Sequence, residues 1–335
     1  MILVTGATGR LGGSAVKILR QGRGEVRCLV RSGSDYFWLN ETGASYFFGD
    51  LREPLSLNRA TKGCDYVLHA AGIELESTEN HHETTTLQGT KNLIDASKLN
   101  GIKHFVMVSC VAPSEGDRQS AALDSTRKAE LHLVNSGLSY TILRCTPFLD
   151  DLAVLVKRAN RGEKAVLWGS PDALVNPIWR QDAALYAVSA LDHTAMKNRV
   201  VTLGGQDTLT VNEALSKVQR LSGGNGEVDI PTGIACKMRA KSKAMILGRR
   251  WTNYIDRSLA LWGQNSATDA QSVINTVGIS LTEFDTAVEA ALLHSHPSED
   301  PSARDERVVH RQFQATVYDP GEVPFEELPT GPRNY

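Results

Sequence analysis

The chain has 335 residues, 41% hydrophobic and 22% charged, with 36 Lys and Arg against 38 Asp and Glu and a formal net charge of −2. That composition is ordinary for a globular protein, the length allows one large domain or two of ordinary size, and the charge balance argues against a general nucleic-acid-binding surface. No apolar run approaches the roughly 20 residues of a membrane-spanning helix.

The apolar Met1-Ile2-Leu3-Val4 runs straight into a glycine loop, so no cleavable signal peptide is expected there. From residue 1 to about 150, short β-branched runs alternate with helical spacing. Ile2–Val4, Glu25–Val30, Ser45–Phe48, Tyr66–Ala70, His104–Ser109 and Ser139–Leu143 read as strands. Leu11–Arg20, Leu55–Thr61, Thr84–Leu99 and Ala121–Asn135 read as helices, with Leu87, Leu93, Ile94 and Ala96 forming an apolar stripe in the third. Such alternation predicts an α/β fold, a Rossmann-type doubly wound parallel sheet with helices on both faces.

Residues 151–296 are expected to hold the remaining core strands and a small, mostly helical lid. Val200–Leu203 reads as a strand, Thr210–Leu221 as a helix with Thr210 capping and Glu213 three residues on, and Leu281–Leu293 as a further helix. Residues 297–335 form a tail with six prolines and eight acids against four arginines, which reads as an extended arm.

The five cysteines, at 28, 64, 110, 145 and 236, are odd in number and contain no C-x-x-C, which argues against a disulfide framework or a zinc site and for a reducing compartment. His81-His82-Glu83-Thr84-Thr85-Thr86 falls short of H-E-x-x-H because position 86 is threonine, and the pair His294 and His296 lacks further ligands, so no metal is expected. There is no P-loop and no G-x-S-x-G elbow.

The chemistry begins at Thr5-Gly6-Ala7-Thr8-Gly9-Arg10-Leu11-Gly12, a G-x-x-G-x-x-G run between the first strand and the first helix. In that context Gly6 permits the tight turn, Gly9 lets a pyrophosphate approach the backbone, and Gly12 lets helix and strand pack closely, with the helix amides facing the anion. The second strand ends at Arg31 rather than at an acid, and Asp35 comes too late. A guanidinium suits a 2′-phosphate, so the expected cofactor is NADP in preference to NAD.

Together with Gly49-Asp50-Leu51, His69-Ala70-Ala71-Gly72 and Val108-Ser109, this loop resembles a short-chain dehydrogenase of the extended or atypical branch. Ser136-Gly137-Leu138-Ser139-Tyr140-Thr141-Ile142-Leu143-Arg144 and the stretch from Val166 to Asp182 resemble the NmrA-like group of that family, over about residues 1–295. The overall layout is similar to the cyanobacterial and plastid branch that assists photosystem II assembly. The resemblance implies pyrophosphate binding at Gly6, Thr8, Gly9, Arg10, Leu11 and Gly12, and a 2′-phosphate on Arg31. It implies adenine beside Asp50 and Leu51 and ribose beside Ala70 and Gly72. Ser109 and Lys128 would face the nicotinamide ribose, and Thr146 and Phe148 would close over the nicotinamide.

One departure stands out. The family's Tyr-x-x-x-Lys pair has Lys128 in place, but four residues earlier stands Asp124, a poor acid at neutral pH unless burial raises its pKa. Ser109, Lys128 and Asp124 are therefore the candidate catalytic residues, beside Arg127 and Glu130, which read as solvent-facing.

A second feature is residues 237–262, which carry a net charge of +6 and leave −8 on the rest of the chain. Met238, Trp251, Tyr254 and Trp262 interleave with the basic residues, so the segment reads either as a lid helix with a solvated basic face or as a docking face for an anionic surface or an acidic partner.

Two functions follow. The first is an NADP(H)-dependent reductase of a small apolar or quinone-like substrate, and the alternative is a cofactor-binding assembly or regulatory factor for a photosynthetic membrane complex. Either is expected in the cytoplasm or plastid stroma, or peripheral on a membrane, with no nucleic-acid partner.

Overall fold

Seven strands lie side by side in the computed structural model, which describes residues 1–22, 24–111, 120–232, 242 and 249–293. They are β1 (Ile2–Thr5), β2 (Val26–Val30), β3 (Ser45–Phe48), β4 (Tyr66–His69), β5 (His104–Cys110), β6 (Tyr140–Cys145) and β9 (Arg199–Leu203), with β7 (Ala165–Val166) and β8 (Leu174–Val175) intervening in the chain outside this sheet. All pairings are parallel and the order is β3-β2-β1-β4-β5-β6-β9. The strand order reverses between β1 and β4, so the crevice of a dinucleotide site opens at the carboxyl ends of these two strands.

Successive residues of β1 point to opposite faces. Leu3 packs with Leu57, Leu93, Ile94 and Leu133 under α2 (Pro54–Thr61), α3 (Gly89–Leu99) and α4 (Ala121–Val134). Val4 packs with Ala15, Val16 and Tyr186 under α1 (Arg10–Gln21) and α6 (Arg180–Ser189). A third core joins Leu152 and Val156 of α5 (Leu149–Asn160), Leu215 and Val218 of α7 (Val211–Ser222), Trp262 of α8 (Arg249–Trp262), and Val288 of α10 (Phe284–Leu293). Short pairs finish this region: β8 with β10 (Leu209–Thr210), antiparallel, and β7 with β11 (Val228–Asp229), parallel. Helix α9 (Ala270–Val277) packs near β9, with Ala270 and Val277 in the first core.

The strands and first helices fall where the spacing predicts them, and α7 opens with a capping box in which Thr210 Oγ1 accepts from Glu213 N at 3.2 Å. Three features differ. The helix expected over Thr84–Leu99 begins two residues earlier with a π-helical stretch, His82–Gln88, before α3 proper. Helices α5 and α6 were not anticipated, although α5 carries Asp150 and Asp151 in its first turn, where the helix dipole favours acids. The basic aromatic segment divides: Trp262 is 4% exposed and sits in the third core, whereas Trp251 is half-buried and meets Tyr254 edge-on at 5.7 Å. Burial of Trp262 supports the lid reading for that end of the segment. Lys237, Arg239, Lys241 and Lys243, the pair His294 and His296, Cys236 and the 297–335 tail lie outside the described residues.

Candidate cofactor and active site

The glycine loop links the end of β1 to α1. Gly6 has φ +70°, in the left-handed region that only glycine adopts readily. A Cβ there would lie 2.6 Å from the carbonyl oxygen of Ala70, just beyond β4. At Gly12 a Cβ would lie 2.6 Å from the carbonyl carbon of Gly6. The turn is therefore drawn tight by contacts that exclude side chains at two of its three glycines, and the Gly9 amide closes it onto Gly6 O at 2.9 Å. Gly9 itself is exposed, at the mouth of α1. This cradle fits a dinucleotide pyrophosphate.

Behind the loop, buried Thr5 and His69 tie β1 to β4. Thr5 Oγ1 meets His69 Nδ1 at 2.6 Å, and His69 Nε2 meets Thr90 Oγ1 of α3 at 2.9 Å. Burial lowers the His69 pKa to about 4, so the ring is neutral and structural.

On the adenosine side, Arg31 is exposed and its Nη1 donates to Asn80 Oδ1 at 2.8 Å. Asp50 is clamped by Arg52: Nε reaches Oδ1 at 2.9 Å, Nη2 reaches Oδ2 at 2.7 Å, and the Arg52 amide adds 2.8 Å to Oδ1. Burial presses the Asp50 pKa upward, but the hydrogen bonds and charge of Arg52 hold it below the usual carboxylate value. Leu51 is buried, Ala70 is half-buried and Gly72 is exposed.

On the nicotinamide side, Ser109 is buried near the end of β5 and donates to Glu130 Oε1 of α4. Arg127 Nη1 donates to the same oxygen, and Arg144 Nη2 reaches Oε2 at 2.7 Å. Glu130, expected at the surface, is 2% exposed. It can be buried because two guanidiniums and a hydroxyl satisfy it. A carboxylate paired with two arginines is ionised and accepts only, so the Ser109 proton is committed to it and Ser109 Oγ offers its lone pairs to a ligand hydroxyl.

Asp124 and Lys128 are both exposed on α4. Lys128 is two positions from Glu130, about 200° around the helix, so the structure does not bring it to Ser109. Asp124, six positions away, also lies off that face. A tyrosine placed at 124 would face solvent, and Asp124→Tyr is not expected to create carbonyl reduction. The sequence carried one signal for the residue that does meet Ser109. Arg144 interrupts the apolar strand Tyr140–Cys145, in register with Ser109, and a cation there demands a buried acid.

Thr146 turns inward, its Oγ1 donating to Asn176 O at 2.7 Å, and Phe148 lies under the Arg180 guanidinium at 4.7 Å. Arg180 and Arg10 share Asp151, with Arg10 Nη2 at 3.4 Å from Oδ1. Thr8 is half-buried and Leu11 buried in the loop. Over the opening, Asn253 of α8 donates to Glu76 Oε2 at 2.7 Å. In the π-helical turn, His82 Nε2, Thr85 Oγ1 and Thr86 Oγ1 are buried and lack hydrogen-bond partners among the described residues. Burial lowers the His82 pKa, against the pull of Glu76.

A family model described as NAD(P)H-binding matches residues 6–194, more than half the chain, and spans the loop, Arg31, Ser109 and Glu130. The chain belongs to that family. It is similar to the photosystem II assembly factor Ycf39 of Cyanophora paradoxa, 30% identical over 227 residues, 68% of this chain and 70% of the relative. An NAD(P)H azoreductase of Xenophilus azovorans is 27% identical over 226 residues, covering 67% and 74%. Among solved structures, the NADPH-dependent quinone oxidoreductase QOR2 of Escherichia coli, complexed with NADPH, matches with TM-score 0.69 at 20% identity, covering 87% of this chain and 99% of that one. The fold is thus the NAD(P)H-binding, reductase-like fold of the atypical short-chain dehydrogenases, with photosystem II assembly factors among its relatives. Among the described residues, no helix is long and apolar enough to cross a membrane.

Proposed function

We propose that the protein is an NADP(H)-dependent reductase of a small quinone-like or similarly conjugated substrate. The observation that carries this reading is the commitment of the Ser109 proton to Glu130, while Asp124 and Lys128 face solvent. Reducing a simple carbonyl generates a strongly basic alkoxide and needs an acid beside it. A quinone that receives hydride becomes a phenolate-type anion, a far weaker base, and takes its proton from water. A site without a tyrosine–lysine pair is suited to the second reaction.

The cofactor, when bound, supplies the hydride. The amides of the Gly6–Gly12 loop and the start of α1 would hold its pyrophosphate. Arg31 would pair with a 2′-phosphate, and Ser109 Oγ, fixed by Glu130, would accept from a ribose hydroxyl. Phe148 and the α8 lid would exclude water from the reacting face.

The test is NADPH oxidation by the purified chain with a panel of quinones, azo dyes and simple ketones. Turnover of quinones or azo dyes but not ketones is expected, and turnover of ketones alone would overturn the reading. The second reading, a cofactor-binding assembly factor, is favoured by the same lack of a tyrosine on α4 and by the named likeness to Ycf39. It predicts NADPH binding without turnover of any acceptor, and co-purification with a membrane complex.

A further inference from the structure

We propose that the lack of charge at position 80 keeps Arg31 open to a 2′-phosphate: Asn80 occupies the guanidinium with a neutral amide and leaves its charge for the phosphate. The inference rests on the NADP(H) reading and adds to it a residue outside the glycine motif and outside every strand of the sheet.

Three contacts carry it. Among the described residues, the side-chain hydrogen bond of Arg31 goes to Asn80 Oδ1 at 2.8 Å, and Arg31 pairs with no carboxylate. Asp50 lies near enough for Arg31 to lower its pKa, yet both its oxygens are taken by Arg52. Arg52 Nη1 also donates to Glu79 O at 2.6 Å, so the turn carrying Asn80 rests on both guanidiniums. The turn closes on itself through Ser77 N to Asn80 O at 2.9 Å and Asn80 N to Ser77 Oγ at 3.1 Å. Its base is anchored where Glu76 accepts from His82 N at 2.9 Å and from Asn253 Nδ2 of α8 at 2.7 Å. Glu53 and Glu79 also act on Arg52, and both side chains are exposed and solvated.

The chemistry follows from what each partner offers a guanidinium. An amide oxygen makes a single bond to a cation without neutralising it. A phosphate makes charge-assisted, often bidentate bonds and displaces the amide. A carboxylate at the same place would neutralise Arg31, repel the phosphate and supply the acceptor that a free ribose hydroxyl uses in NAD sites. The difference between Asn and Asp at position 80 is one atom, so the selectivity turns on charge rather than shape.

Calorimetric titration of the full chain with NADPH and NADH tests this, on the parent, Asn80→Asp and Asn80→Ala, with melting curves to verify folding. Asn80→Asp is expected to weaken NADPH at least about tenfold, the effect shrinking at high salt, while NADH binds at least as tightly as to the parent. Asn80→Ala should retain NADPH affinity, since it removes only a placeholder. A parent that prefers NADPH with an Asn80→Asp variant that binds it equally well overturns the role of Asn80 and leaves the NADP(H) reading standing. Equal loss in Asn80→Ala and Asn80→Asp also overturns it, because the turn rather than the charge would then matter. A parent that binds NADPH and NADH alike overturns both.

Discussion

Glu130 illustrates how a single side chain organises the nicotinamide end of the site. Its carboxylate holds Ser109, Arg127 and Arg144 together across α4, β5 and β6. Removing it in Glu130→Ala leaves two guanidiniums without their acid. Breaking a buried pair in this way costs about 3–5 kcal/mol, and the partial exposure of both arginines puts the expectation at the low end, about 3. Urea unfolding would register this as a lower midpoint with an unchanged slope. Glu130→Gln keeps the shape and should cost less. His69 and His104 act through pH. Burial lowers each to about 4, whereas an unfolded histidine titrates near 6.5. The unfolded chain therefore binds more protons between those values. Stability is complete above about pH 6.5 and is lost as pH falls toward 4, by up to about 3 kcal/mol per histidine. The dependence of stability on pH near 5 should lose about one proton in His69→Asn. At this scale the placement of the glycines at the β1–α1 turn and of Arg31 just past β2 was legible in the sequence, because the strand–glycine–helix spacing and the end of the second apolar run mark those positions. Glu130 and Asn80 were not. A glutamate on a helix reads as solvent-facing until the strand carrying Arg144 is laid beside it, and a turn asparagine acquires meaning only from the arginine it meets 49 residues away.

Among the elements, the β1–α1 turn tolerates little change. Gly12→Ala would set a methyl 2.6 Å from the Gly6 carbonyl carbon, and backbone cannot yield there as a flexible side chain could. A loss of about 1–3 kcal/mol is expected, with loss of cofactor binding, measurable by thermal melting with and without NADPH. The strand–helix alternation to residue 145 was readable because period-two and period-3.6 patterns change cleanly at glycine and aspartate. Helices α5 and α6 were not legible in the sequence because they lie beyond the alternation. The π-helical stretch before α3 has no sequence signature of its own. Helix α8 gives the sharpest contrast. Trp262→Ala should cost about 3–5 kcal/mol, as large-to-small changes in a core do. Half-buried Trp251, changed to Ala, should cost clearly less, and urea midpoints of the two variants check the order. Equal effects would contradict the assignment of Trp262 to the core and Trp251 to its margin.

Taken whole, the molecule is a doubly wound sheet whose switch point carries a glycine cradle. An arginine that pairs with no acid among the described residues stands on one side and a serine fixed by a buried glutamate on the other. The family and fold establish nicotinamide-cofactor binding, and the charge on Arg31 favours the proposed NADP(H) over NAD(H). The same charge ties the cofactor site to the turn over residues 77–80 and, through Glu76 and Asn253, to α8. A saturating cofactor should also stabilise the fold, by about 2.7 kcal/mol at a hundred times its dissociation constant. The most direct measurement is calorimetric titration of the parent and of Arg31→Ala with NADPH and NADH at fixed salt. The parent is expected to prefer NADPH. Arg31→Ala should lose on the order of 1.5–3 kcal/mol of NADPH binding, roughly ten- to a hundredfold, with NADH unchanged. Equal NADPH affinity in Arg31→Ala and the parent would contradict that expectation.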